Sequence, residues 1–171
     1  MLSLTPTLRK ANPDDAPIIW DILSGAIQLR KEQGSAQWQD GYPNLQTVEN
    51  DIAQDQGYVY DSGDELIGYV AIILNTEPAY DEIEGQWHSD GDFYVVHRLA
   101  VARETAGTGV ATSILKEVEH LALKNKIFSI RADTNYDNAA MLKIFNNLDY
   151  VYCGEVYFRG SARKAFEKLL R

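Results

Sequence analysis

The sequence predicts a single α/β domain built on a mixed sheet. Three observations carry that prediction. Strand-like and helix-like patterns alternate along the chain. The run 92–101 is apolar enough for a strand buried on both faces. The segment that opens at Gly107-Thr108-Gly109 then carries apolar residues at helical spacing. With 171 residues and no internal repeat or linker, 1–171 reads as one domain with room for a real core.

In chain order, Thr7–Ala11 is a short strand. Asn12-Pro13-Asp14-Asp15 supplies an N-cap, a proline for the first helical position and first-turn acids. Ile19, Ile22, Leu23, Ala26 and Ile27 continue that helix to a stop near Gly34. Residues 37–44 read as a loop and 45–54 as a shorter helix. Tyr58–Tyr60 and Glu65–Leu74 form a hairpin around Asp61-Ser62-Gly63-Asp64. Residues 75–92 form a long polar loop, a length that in compact domains often serves function. After the 92–101 strand, Val110, Ile114, Val118 and Leu121 mark one face of a helix. Ile127–Ala132 is a strand and Asn138–Leu148 a helix with Met141, Leu142, Phe145 and Leu148 inward. Tyr150–Cys153 and Glu155–Arg159 read as a strand pair around Gly154, and Ala162–Leu170 as a terminal helix.

Composition narrows the functions. A net charge of −9 opposes nucleic-acid binding, which needs Lys and Arg against phosphate, and would steer in a cationic substrate. No apolar run approaches the roughly 18 residues of a membrane span, and the N-terminus lacks a signal-peptide core. The single Cys153 cannot form an internal disulfide, and a cytoplasmic location is expected.

The chemistry gathers at 93–123, where a strand, a Gly-x-Gly and a helix N-terminus make an anion cradle of backbone N–H groups. One reading is a dinucleotide fold, with Asp133 ending the next strand. Against it, Ala102 to Ala106 separate strand from glycine, Thr112 stands at the third-glycine place, and the upstream chain lacks βαβ units.

The other reading is a family resemblance. Leu99-Ala100-Val101, followed by Ala106-Gly107-Thr108-Gly109-Val110-Ala111 and a helix, resembles the acyl-CoA signature of the GNAT superfamily of N-acetyltransferases. Asn138-Ala139-Ala140-Met141-Leu142-Lys143-Ile144-Phe145-Asn146-Asn147-Leu148-Asp149-Tyr150 resembles that family's second motif. The order and separation of the two motifs agree with the family from Thr7 to Arg159.

This resemblance implies a GNAT-like fold, with a mixed, mostly antiparallel sheet flanked by helices, and acetyl-CoA as co-substrate without a metal. It implies coenzyme contacts from Leu99, Ala100, Val101, Ala106, Gly107, Thr108, Gly109, Val110, Ala111, Thr112, Asn138, Met141 and Phe145. Physically, first-turn N–H groups lack intrahelical partners and can donate to a pyrophosphate, while the glycines admit its approach. The strand would pair with pantetheine amides, and a splay from the Ile127–Ala132 strand would seat the thioester beside oxyanion-stabilising N–H groups. Two positions depart from the pattern. Ala106 replaces the usual Arg or Gln, with Arg103 and Lys143 as alternative cations. Phe145 replaces a frequent tyrosine acid, and Tyr152, Tyr157 and Cys153 are alternatives among which no acid is assigned.

His97 is the candidate base, placed by alternation on the face of Leu99, Val95 and Phe93. Some family members carry a catalytic histidine there, and imidazole suits the task. Asp133, Glu104 and His88 are the other base candidates. The loop 77–92 mixes six acids with Tyr80, Trp87 and His88 and holds no Lys or Arg, which suits an ammonium on an apolar body. Trp38 and Tyr42 would form the facing wall. The expectation is an N-acetyltransferase whose amine attacks directly in a ternary complex, with no acyl-enzyme on Cys153. A non-catalytic acyl-CoA sensor is the rival, and a homodimer through the C-terminal strands and the Arg163–Leu170 helix is expected by analogy.

Overall fold

The computed structural model describes residues 5–171; the first four residues of the 1–171 span lie outside them. Among the described residues, eight strands are hydrogen-bonded in the order β1-β2-β3-β5-β6-β8-β7-β4, and these residues divide into two compact units, a first that runs to Ile72 and includes Arg98–Glu117, and a second of Ile73–His97 with Val118–Arg171. The strands are β1 (Thr7–Lys10), β2 (Gly57–Asp61), β3 (Leu66–Leu74), β4 (Glu84–Gly85), β5 (Tyr94–Val101), β6 (Ser129–Thr134), β7 (Val151–Phe158) and β8 (Ser161–Leu169). The helices are α1 (Ala16–Glu32), α2 (Leu45–Ala53), α3 (Pro78–Asp81), α4 (Val110–Lys124) and α5 (Ala139–Asn147). The β5–β6 pair is parallel, and the pairs β1–β2, β2–β3, β4–β7, β6–β8 and β7–β8 are antiparallel. No helix among the described residues is long and apolar enough to cross a membrane.

The first unit contains α1 and α2. Asn12 and Asp15 form a capping box at the turn that leads into α1, and Arg9 holds Asp15 at 2.9 Å. Ile19, Ile22, Leu23 and Ala26 of α1 then bury against Val48, Val59, Tyr69 and Ala100. Full burial of each Ile, Leu or Val side chain among them contributes about 1.5–3 kcal/mol. A charged group is threaded through this core. Arg98 bonds Asp51 of α2 through Nε and Nη2, at 2.9 and 2.6 Å, and Tyr69 donates to the same carboxylate at 2.6 Å.

The second unit carries the parallel β5–β6 ladder, α5 and the C-terminal strands. Phe145 of α5 packs at 5.0 Å from both Tyr150 and Phe166. Two expectations change here. The terminal helix expected at Ala162–Leu170 is instead β8, antiparallel to both β6 and β7. Its buried positions, Arg163, Ala165 and Glu167, alternate as a strand requires. Two of those three are charged, which hides the alternation from a hydrophobic reading, and the segment's Ala, Arg, Lys, Glu and Leu favour helix locally. The helix invoked for dimerisation is therefore absent from that segment.

The two strands expected around Gly154 are one strand, β7. Its register shifts between Tyr152 and Gly154, where Gly154 has φ +142°. A Cβ there would lie 2.3 Å from the Glu84 carbonyl oxygen, so glycine lets β4 approach. The long polar loop also gains structure, in α3 and β4, between Asn75 and Phe93, which bond at 3.0 Å.

Candidate active site

Parallel pairing of β5 with β6 runs from Tyr94↔Ile130 to Val96↔Ala132. His97 and Asp133 are the next residues on each strand, and both side chains lie in the second unit. His97 Nδ1 is 3.9 Å from Asp133 Oδ2, while its Nε2 lies 2.6 Å from Glu77 Oε2. Glu77 is held by its own helix: as N-cap of α3 it accepts from the Ala79 N–H at 3.2 Å. The imidazole thus stands between two carboxylates.

Aromatic rings enclose this trio. Tyr80 lies 5.9 Å from the His97 ring, and Phe158 meets the same ring edge-on at 5.9 Å. Tyr80 donates to Asp133 Oδ2 at 2.6 Å. Burial raises the Asp133 carboxyl above its ordinary range and holds the Tyr80 phenol well above its own. Trp87 packs on Tyr80 at 5.0 Å and donates its indole N–H to the Tyr80 carbonyl at 3.0 Å. Arg131 stacks over Trp87 and Phe93, at 4.5 and 3.9 Å.

The loop that carries Trp87 is anchored from beneath. Glu167 of β8 is 1% exposed and accepts from the backbone N–H of His88, the hydroxyls of Ser89 and Ser129, and Arg131 Nε. Burial opposes its ionisation, yet these donors hold its carboxyl below the usual range. His88 itself contributes that backbone donor, with its side chain exposed.

The glycine loop belongs to the first unit. A 3-10 turn at Arg103–Thr105 leads from β5, and the Ala106 N–H closes it on the Arg103 carbonyl at 3.2 Å. Gly107 and Gly109 take φ +78° and +91°, and a Cβ on either would meet nothing within 4 Å. Backbone conformation rather than crowding therefore selects glycine, and the loop stays open on its exposed side. Thr108 donates to the Thr105 carbonyl, after which Val110, Ala111 and Thr112 form the half-buried first turn of α4. This arrangement fits a bound pyrophosphate: unpaired first-turn N–H groups follow an open, left-handed glycine loop.

Leu99 and Ala100 are buried on β5, and Val101 is half-buried at its end. Arg98 adopts φ +55°, which interrupts the regular alternation expected to align His97 with Leu99. Its side chain instead reaches Asp51 and Tyr42 in the first unit. Trp38 is buried in that unit's core beneath Arg30, whose guanidinium lies 4.3 Å from the ring centre. Glu104 is exposed in the 3-10 turn, and the neighbouring Arg103 pairs with Glu32 of α1.

In the second unit, Asn138 caps α5 by accepting from the Met141 N–H at 3.2 Å. Met141 is half-buried on the first turn of α5, and Phe145 is fully packed. Of the alternative acids, Cys153 is buried, its thiol pushed up to about 12 by that burial. Tyr157 is exposed, and its single O–H has the Glu84 and Glu155 carboxylates as alternative acceptors at 3.0 and 3.1 Å. Tyr152 is exposed at the edge of Phe166. Glu77 is the member of the His97 site that sequence reasoning did not single out. It was one acid among six in a loop, and its only local signal was Glu-Pro at the start of a helical turn.

The comparisons with known proteins converge. The model of the acetyltransferase (GNAT) family matches residues 23–150. The uncharacterized N-acetyltransferase YesJ of Bacillus subtilis is 26% identical over 149 residues, covering 82% of this chain and 79% of the relative. An acetyltransferase of the GNAT family from Streptococcus agalactiae superposes with TM-score 0.89 at 31% identity, over 100% of this chain and 99% of that one. One from Listeria monocytogenes shares the fold at TM-score 0.78 and 20% identity, over 99% of each chain. The protein therefore belongs to the GNAT family of acetyltransferases.

Proposed function

We propose that this protein transfers an acetyl group from acetyl-CoA to a primary amine by direct attack in a ternary complex, with His97 as general base. The observation that carries the reading is the placement of His97 between Glu77 and Asp133, at 2.6 and 3.9 Å, just beyond the last β5–β6 pair. The Nε2–H donated to Glu77 leaves Nδ1 as the basic nitrogen. Nδ1 takes a proton from the incoming ammonium, and Asp133 steadies the imidazolium that results. Acetyl-CoA, when bound, would supply an acyl group activated as a thioester, which the deprotonated amine would attack with loss of the coenzyme as its thiolate. The open loop at Gly107–Gly109 and the first turn of α4 would hold the pyrophosphate, and β5 from Leu99 to Val101 would offer backbone groups to the pantetheine. The acids at Glu77 and Asp133 and the rings of Tyr80 and Trp87 suit a cationic head on an apolar body.

The test pairs thermal shift with thiol release on an amine panel. Acetyl-CoA should raise the melting temperature, and NAD(P) should not. At least one amine should drive release of the coenzyme thiol, and His97→Gln should lower turnover about a hundredfold while retaining the acetyl-CoA shift. Stabilisation without thiol release from any amine would instead mark a binding or sensing domain.

A further inference from the structure

Arg163 of β8 is the buried arginine of the second unit that lacks a close acidic partner. It is 7% exposed, and its Nε is buried with no hydrogen-bond partner. Its acidic neighbour is Asp133, at 3.8 Å from Nη1 to Oδ1, beyond hydrogen-bond reach. The buried Arg131 and the largely covered Arg98 behave differently. Arg98 is seated on Asp51 at 2.6 Å, and Arg131 on Glu167 at 3.1 Å with a further bond to the Ser89 carbonyl at 2.7 Å. A buried guanidinium costs several kcal/mol unless charge and hydrogen bonds compensate it, and both of those pairs satisfy that requirement. Arg163 is compensated in part only.

Its position makes the difference functional. The Arg163 guanidinium carbon lies 5.7 Å from the centre of the Phe158 ring, the ring that meets His97 at 5.9 Å. Asp133 is shared in the same way, with Oδ1 toward Arg163 and Oδ2 toward His97 and Tyr80. A cation and the proposed base thus flank one aromatic ring and one carboxylate. A molecule whose amine lies at His97 has a buried positive charge within reach of its other end.

We propose that Arg163 is the specificity-determining residue that receives a carboxylate of the acceptor, so that the acceptor is an amino acid. This inference rests on the N-acetyltransferase reading above. Arg suits the task because its planar fork matches a carboxylate, and a carboxylate supplies the charge and acceptor atoms that Asp133 alone does not. Asp133 and Glu77 then serve the ammonium end, and the two ends of a zwitterion meet opposite charges.

The test compares the common amino acids with their primary amides in an acetyl-CoA thiol-release assay. The free acid of the preferred side chain should exceed its amide by roughly a hundredfold in kcat/KM, about what one hydrogen bond to a charged group contributes. Arg163→Gln should abolish the preference, and Arg163→Lys should restore part of it. Both variants should keep the acetyl-CoA thermal shift, which reports folding and donor binding separately. Amides or simple amines turned over as well as the free acids by the wild type would overturn the inference while leaving the acetyltransferase reading intact. That comparison uses the unaltered protein and is independent of variant folding. An acetyl-CoA shift with no thiol release from any amine would overturn both.

Discussion

Glu77 and His97, twenty residues apart in sequence, meet at 2.6 Å through Oε2 and Nε2. The carboxylate comes from the N-cap of a four-residue helix, and the imidazole comes from the middle of β5. In the proposed mechanism Glu77 would select which ring nitrogen is left to work. Glu77→Gln should lower kcat by about tenfold or more through loss of that orientation, with acetyl-CoA affinity unchanged. Steady-state kinetics with both substrates varied would check this, and an unaltered kcat would remove Glu77 from the mechanism.

Asp133 gives a pH-dependent prediction. Burial raises its folded-state carboxyl above the ordinary value, so its contribution to stability is fully present below the unfolded pKa, roughly 4, and is lost as pH rises through the folded value. Asp133→Asn keeps an oxygen for the Tyr80 hydroxyl and removes the buried charge. The variant should melt with the wild type in acid and above it near neutral pH, by a few degrees, while losing activity. Melting curves across that range would show whether the gap opens with rising pH.

Cys153 should be chemically silent. Burial pushes its thiol up to about 12, and its Sγ faces the Val151 carbonyl at 3.4 Å. An aromatic disulfide reagent should titrate no thiol in the native protein and one after unfolding. Labelled acetyl-CoA should leave no stable acetyl group on the chain, and a labelled Cys153 peptide would contradict direct attack.

Asp51 joins Arg98 and Tyr69 inside the first unit. Asp51→Ala strands a buried guanidinium and a buried phenol together, and should cost about 3–5 kcal/mol. Urea unfolding would measure this. Replacing Asp51 and Arg98 together by apolar residues should recover much of the loss, since no buried charge is then left unmatched.

The sequence by itself determined the family and much of the fold. The glycine loop, the helix that follows it and the Asn138 motif are local patterns, and local backbone physics makes such patterns legible: left-handed φ at Gly107 and Gly109, and a capped helix start at Asn138. The same reading marked His97 as the candidate base, from its strand position and its chemistry. Tertiary structure alone decided what surrounds His97. Glu77 and Asp133 lie 20 and 36 residues away along the chain, and no spacing rule links them to an imidazole on β5. The C-terminal segment shows the same limit: its residues favour a helix one by one, yet pairing with β6 and β7 on both sides makes it a strand. That strand buries Glu167, a charge tolerable inside a protein only where distant residues, here His88, Ser89, Ser129 and Arg131, have been placed to meet it.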